Sequence, residues 1–302
     1  MSGISITNYL WRNELNKQVC PGLGAFIATA LLIVGCEQAD NHQPAIAGQT
    51  AARIISLSPH ITELVFAAGA GEQLVGVVEY SDFPPAARDL PRIGSAFRVD
   101  YEAVSQLQPD LVLSWQSGNP VEIIERLHEL GYRVVATEPQ GLESVAEQLQ
   151  LIGKLAGTSE QADQVAAILR KRIMELRSYS DEEQRLSVFW QISADPYFTV
   201  TGRHIINEII ELCGGRNIFA DTPGLAPTVT LEAILVERPE VIIASVAPGD
   251  EAWKESWQDW PQLAAVQNGH LYGVDPDLIS RPGPRIVDGA VQVCAALEAA
   301  RN

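Results

Sequence analysis

Positive charge is scarce in this 302-residue chain: 21 Lys and Arg stand against 38 Asp and Glu, a formal charge of −17. A surface so acidic repels phosphate backbones, which argues against nucleic acid as a partner. Cysteine is scarce too, and four residues cannot make a disulfide-dense scaffold. Signatures of catalysis are missing: no Gly-x-Gly-x-x-Gly after a strand, no Walker loop, no His-Glu-x-x-His, no Cys-x-x-Cys and no Gly-x-Ser-x-Gly. The histidines, His42, His60, His128, His204 and His270, include no i, i+4 pair to hold zinc. What is present is ordinary globular composition, with 46% hydrophobic residues, and enough length for a buried core and two domains.

One hydrophobic run stands out, Gly22–Gly35, uncharged and preceded by Arg12 and Lys17. A spanning helix needs about 20 residues, so a run of about 14 fits the core of a secretory signal. Its end, Ile33-Val34-Gly35-Cys36, resembles a bacterial lipobox. Residues 1–35 are then expected to be a lipoprotein signal peptide, with Cys36 the lipidated first residue on the periplasmic side of a bacterial membrane. The alternative is a short anchor helix or a signal cut elsewhere. Residues 36–52 are polar and read as a flexible tether. Cys20 falls in the discarded segment, leaving Cys213 and Cys294. Export permits a bridge between them, worth about 4 kcal/mol in the chain-entropy picture; two buried free thiols are the alternative.

Beyond residue 52 strands and helices alternate. Arg53–Leu57, Leu74–Val78, Leu111–Trp115 and Arg133–Ala136 read as strands. Tyr101–Gln108, entered through Asp100, and Val121–Leu130 read as helices. The same grammar returns with strands at Leu186–Trp190, Val241–Ala244 and Leu271–Val274, and helices at Ile205–Leu212, Leu231–Val236 and Pro284–Ala299. Apolar spacing at Leu142, Val145, Leu149, Ile152 and Leu155, then at Val165, Leu169, Ile173 and Leu176, makes the middle helical, with Gly153 and Gly157 as interruptions. The predicted fold is α/β: a lobe over 53–141, a linking helical segment over 142–180 and a second lobe over 181–302, with a ligand cleft between the lobes.

Two segments repeat. Asp100-Tyr-Glu102-Ala-Val, with Pro109-Asp110 following, matches Thr230-Leu-Glu232-Ala-Ile with Pro239-Glu240. Ile61-Thr-Glu63-Leu matches Ile206-Asn-Glu208-Ile more weakly. Two matches in the same order point to two related lobes.

The loops after the strands are aromatic and polar. Tyr80-Ser-Asp82-Phe83 follows one strand, Phe97 precedes the first repeated helix, and Trp115-Gln-Ser-Gly118-Asn119 closes another strand. Pro196-Tyr197-Phe198-Thr199 and Asp277 to Arg285 belong to the second lobe. Open α/β sheets bind ligands beyond the carboxyl ends of their strands, where aromatic faces grip a large flat guest. The alternative is that these rings seal loops against the sheets.

These pieces, together with Arg53-Ile-Ile-Ser-Leu-Ser-Pro59, Cys213-Gly-Gly-x-Asn217-Ile-Phe219 and Arg281-x-x-Pro284-Arg285, resemble the substrate-binding proteins of cobalamin ABC importers. The likeness runs from Arg53 to Ala299. It implies two Rossmann-like lobes joined by a long helix, a corrinoid as transported ligand with no cofactor, and no catalysis. It places Tyr80, Trp115 and Phe198 on the corrinoid as ring contacts, and Asp277 and Arg281 on its polar side groups. Ala96 and Ala226 stand where the best-matching relatives carry tryptophan, and Phe97 is placed to substitute for the first. The resemblance implies that Glu102 and Glu232 dock onto the importer's permease, against the alternative of ordinary acids at helix N-termini. It also implies the Cys213–Cys294 disulfide. A monomer is expected.

Three other readings compete. A ferric siderophore or haem could fill the same cleft. An extracytoplasmic enzyme could use Asp82, His60 or Asp277 as acid or base. A metal-ion binding protein could use His60, beside Ser58-Pro59 at a strand end, together with carboxylates; otherwise His60 is a solvated loop residue.

Overall fold

A computed structural model of the chain describes residues 50–177 and 185–302. The expected signal segment, Cys36 and the tether up to residue 49 lie outside the described residues. Among the described residues no helix is long and apolar enough to cross a membrane.

The first lobe runs β1 (Ile54–Ser56), α1 (Pro59–Ala67), β2 (Leu74–Val77), β3 (Gly94–Ser95), β4 (Arg98–Val99), α2 (Tyr101–Leu107), β5 (Leu111–Trp115), α3 (Val121–Glu129) and β6 (Val134–Thr137). Then come α4 (Leu142–Ala156) and α5 (Ser159–Leu176). The second lobe runs β7 (Leu186–Gln191), β8 (Ser193–Ala194), β9 (Tyr197–Phe198), α6 (Ile205–Leu212), β10 (Gly215–Asn217), β11 (Thr228–Val229), α7 (Leu231–Glu237) and β12 (Val241–Ser245). It ends with α8 (Glu255–Gln258), α9 (Ala264–Gln267), β13 (Leu271–Val274), α10 (Pro276–Ile279) and α11 (Ile286–Arg301).

Each lobe is built on a parallel four-stranded sheet, ordered β2-β1-β5-β6 in the first and β10-β7-β12-β13 in the second. The two orders correspond strand for strand, and the repeated sequence segments fall on corresponding elements. Asp100 accepts from the N–H groups of Glu102 and Ala103 to cap α2, and Thr230 accepts from Ala233 to cap α7. Both helices end on a left-handed residue, Gln108 (φ 45°) and Arg238 (φ 48°). The acid after the proline then clasps the start of the central strand in each lobe. Asp110 accepts from the N–H groups of Ala52 and Arg53, and Glu240 accepts from the N–H of Ser187.

Alternation along the strands sorts side chains between layers. Ile54, Leu111 and Leu113 of one sheet, and Val188, Trp190, Val241 and Ile243 of the other, join a single buried cluster with Leu149, Ile152 and Leu169 of α4 and α5. Ile55 and Val112 turn to a separate cluster outside the first sheet, and Phe189 and Ile242 to one outside the second. The lobes therefore share a core through the helices between them.

Several local expectations change. Gly153 does not interrupt a helix; it lies inside α4, where an added Cβ would come within 2.3 Å of the Ala162 Cβ on α5. It permits close helix packing, and the break falls at Gly157, which is left-handed (φ 77°). The stretch Glu63–Ala68 reads in the sequence as a helix preceded by Thr62, but α1 starts earlier, at Pro59, which suits a position whose N–H would be unpaired, and so takes in Thr62. The last residues of the expected tether are not free: Ala51 is buried, and its N–H donates to the carbonyl of Leu155 at 2.7 Å. The short sheet β11-β9-β8 and the strand β10 are too brief to leave a period in the sequence.

Candidate functional site

The expected ligand residues lie around the carboxyl ends of the strands. Tyr80 follows β2 on a backbone with φ 63°, uncommon for a bulky residue, and its ring is 76% exposed. Its loop is pinned from below: Thr62 Oγ1 donates to Ser81 Oγ, Arg92 donates to the Ser81 carbonyl, and Arg88 donates to the Asp82 carbonyl. Phe97, in the turn between β3 and β4, is 73% exposed. Phe198, on the β8–β9 hairpin, is 37% exposed, while its neighbour Tyr197 turns inward against Phe189 and Trp257. Tyr80 and Phe97 therefore do not seal the core, and neither does Phe198. Ala226 is exposed.

Trp115, at the end of β5, is half-buried and packs against the shared core. It meets His60 edge-on with ring centroids 5.1 Å apart. A Cβ on Gly118 would fall 1.9 Å from the Trp115 ring, so that glycine is the bed on which the indole lies. Asn119, buried, ties three strand ends together. Its Oδ1 accepts from the Trp115 N–H at 2.6 Å, and its Nδ2 donates to the carbonyls of Leu57 and Ala96, each at 3.0 Å. The Gly118-Asn119 pair was visible in the sequence, but its pinning role was not.

His60 departs from both expectations for it. It is 2% exposed, neither a ligand-like loop residue nor a solvated one. Nδ1 lies 2.6 Å from Ser58 Oγ and Nε2 has no partner. Burial pushes its pKa down to about 3, so the ring is neutral and structural. No group of three or more His, Cys, Asp or Glu able to hold a metal occurs among the described residues.

The polar half of the site is an ion-pair cluster that the sequence did not assemble. Arg281 donates to Asp82 at 2.5 Å, pairs with Asp277 at 2.9 Å, and lies 3.7 Å from Glu63. Glu63, 3% exposed, is held by Arg285 through two bonds, from Nε at 2.9 Å and Nη2 at 2.6 Å. The Arg285 guanidinium lies 3.9 Å from the Phe83 ring centroid. Burial works to raise the Asp82 pKa, but the Arg281 hydrogen bond and charge, its own backbone N–H and Arg88 outweigh it and hold the carboxyl below the usual value. Glu63 hydrogen-bonding, set against burial and helped by surrounding carboxylates, raises the Arg285 pKa. The cluster fixes Arg281 as a positioned donor beside two carboxylates, Asp82 and Asp277, that keep exposed edges. Amide and hydroxyl groups of a neutral guest suit such an edge better than a polyanion does.

Asp82, Arg281 and Asp277 thus form one ion-paired set across the lobes, with the Tyr80 carbonyl accepting from the Asp82 N–H, and Asn119 joins Trp115 to the carbonyl of Ala96, the residue before Phe97. Phe198 stands apart on the second lobe's hairpin. A cavity of about 260 Å³ beside the Glu63–Arg285 pair is lined by Phe66, Ala67, Phe83, Pro84 and Pro284, and by none of the expected ligand residues. Glu102 and Glu232 are both exposed in the first turns of α2 and α7. Cys213, just after α6, is bonded to Cys294 on α11.

Two parallel α/β lobes sharing a helical core, with an aromatic and polar rim at the strand ends, define a two-lobed solute-binding protein. A family model described as "Periplasmic binding protein" matches residues 54–278, and the chain belongs to that family. It is 36% identical over 256 residues to the vitamin B12-binding protein of Vibrio cholerae, covering 83% of this chain and 91% of that one. The crystal structure of periplasmic vitamin B12 binding protein BtuF of Vibrio cholerae superposes with a TM-score of 0.78, covering 83% of this chain and 98% of that one at 36% identity. The periplasmic heme-binding protein RhuT from Roseiflexus shares the fold, with a TM-score of 0.72 at 21% identity over 83% of this chain and all of that one.

Proposed function

We propose that this protein captures cobalamin or a related corrinoid between its lobes and delivers it to the permease of an ABC importer. The observation that carries the reading is the set of rings held open at the strand ends, in a chain 36% identical to a vitamin B12-binding protein over most of its length. Tyr80, Trp115, Phe97 and Phe198 supply flat apolar area to the macrocycle. Asp277 and Arg281 meet its amide side chains. The protein is a carrier with no catalytic step of its own, and the corrinoid is cargo and not a cofactor. Glu102 and Glu232, at matching positions on the two lobes, dock onto basic side chains of the permease, where paired charges set register and on-rate. Cys36 carries the lipid that keeps the carrier at the membrane, and the carrier works as a monomer.

The experiment is a titration of purified protein with cyanocobalamin, read by tryptophan fluorescence and calorimetry, beside haem and a ferric siderophore. One-to-one binding at micromolar affinity or tighter is expected for the corrinoid, with weaker or no binding of the others. A flat response to every corrinoid would sink the reading; preferential haem or siderophore binding would replace the cargo.

A further inference from the structure

The second repeated acid, Glu63 in α1 and Glu208 in α6, does something in space that its sequence context does not announce. Each sits on the helix following the central strand of its own sheet, β1 or β7. Glu63 reaches the start of α11, the last helix of the second lobe, and Glu208 reaches the start of α4, the linking helix that follows the last strand of the first sheet. Glu63 holds Arg285, the residue that caps α11. Glu208 Oε2 accepts from the N–H of Leu142, the first residue of α4, at 2.8 Å. A Cβ on Gly141 would stand 2.6 Å from that same oxygen, so the capping glycine leaves room for the carboxylate to enter. One contact runs from the first lobe to the closing helix of the second, the other from the second lobe to the start of the linking helix where it leaves the first.

They are chemically unequal. The Glu63 contact is a buried carboxylate–guanidinium fork, whose disruption strands a charge away from water. The Glu208 contact is a half-buried carboxylate on a helix N-terminus, a lighter clasp. The heavier one is also joined to the rim: Arg285 and Arg281 share a loop, and Arg281 carries Asp82 and Asp277.

We infer that Glu63 and Glu208 are positioning residues that fix the angle between the lobes, so that the cleft is set before the ligand arrives. The inference rests on the carrier reading for its consequence in affinity, but its structural half stands without any ligand. When only a fraction of molecules holds the competent angle, apparent affinity falls by that fraction while the saturated complex is unchanged.

The test uses the full chain with Glu208→Ala, Glu63→Gln and the double variant, checked for folding by far-UV circular dichroism. Small-angle scattering of the ligand-free proteins reads the lobe angle, and cyanocobalamin titration reads its consequence. The wild type is expected to scatter alike with and without cyanocobalamin. The double variant is expected to broaden when ligand-free and return to the wild-type profile at saturation, with affinity down about tenfold and full quench amplitude. Glu208→Ala, the milder change, moves the same way by less and keeps the test readable if the buried substitution prevents folding. Ligand-free scattering identical to wild type in a folded Glu208→Ala or double variant overturns the inference, whatever happens to affinity. A wild type that ignores cyanocobalamin defeats the carrier reading alone, since broadened ligand-free scattering still reports the clasps.

Discussion

Acidification from pH 7 to pH 5 should unfold this protein more easily through two buried histidines, His60 and His204. Burial lowers the pKa of His60 to about 3 and that of His204 to about 4, against an ordinary value of 6.5. Between those values the unfolded chain takes up protons that the folded chain refuses. Stability is therefore full above pH 6.5 and falls as the pH falls toward 4 and then 3. At pH 5 both folded values lie well below the pH, so the loss is set almost wholly by the unfolded imidazole. It comes to about 2 kcal/mol for each histidine, about 4 kcal/mol together. At roughly 2–4 °C per kcal/mol for a chain of this size, Tm drops by roughly 8–16 °C. The Asp82 carboxyl, held low by Arg281, loses its contribution only as the pH falls below its ordinary value of 3.8, outside this window. Urea unfolding at pH 7, 6 and 5 reads the slope. His60→Phe keeps a ring edge for Trp115 and removes the proton site, so it should lose about half the pH dependence even if its stability at pH 7 changes. A His60→Phe protein with the full wild-type slope would refute the reasoning, because it would mean the neutral imidazole is not what acid attacks.

Other outcomes follow from single contacts. Gly118→Ala forces the Trp115 ring off its bed, and cyanocobalamin affinity should fall about tenfold or more, near 1.4 kcal/mol, with far-UV circular dichroism unchanged; unaltered affinity would remove Trp115 from the site. Replacing Cys213 and Cys294 together by serine opens a loop of 81 residues and should lower stability by about 4.5 kcal/mol, measured by calorimetry beside the oxidised parent; an equal Tm would show that the bridge does not limit unfolding. Glu102→Arg with Glu232→Arg should leave cyanocobalamin binding intact and abolish corrinoid-dependent growth of a strain relying on this carrier. Normal growth would end the docking role.

Much of the fold was legible because parallel strands and amphipathic helices write their periods locally. The helix Ile205–Leu212 and the strand Leu271–Val274 were placed residue for residue, the helix as an apolar run stopped by Gly214-Gly215 and the strand as a short apolar run. Gly153 misled because its glycine serves a neighbour helix, and a glycine needed for close approach looks like one that breaks a helix. His60 misled for a related reason. A histidine beside Ser-Pro reads as a loop residue, and only packing under Trp115 shows it to be neutral and enclosed. At the site, the rings were legible as aromatics after strands. The pins were not, because Asn119 acts through the carbonyls of Leu57 and Ala96, which carry no sequence signature.

The amino-acid sequence by itself determined the alternation that makes two parallel sheets, the repetition that makes them correspond, and the pair of cysteines available for a bridge. Each of these depends on neighbours within a strand or a helix, or on counting. Only the tertiary structure decided which charges meet. Glu63 and Arg285 are 222 residues apart, Asp82 and Arg281 are 199 apart, and Glu208 reaches back 66 residues to Leu142. No local period fixes such partners. They are chosen by the shared core, which brings the end of one lobe against the first helix of the other and leaves the buried carboxylate of Glu63 with the Arg285 fork that can offset its loss of water.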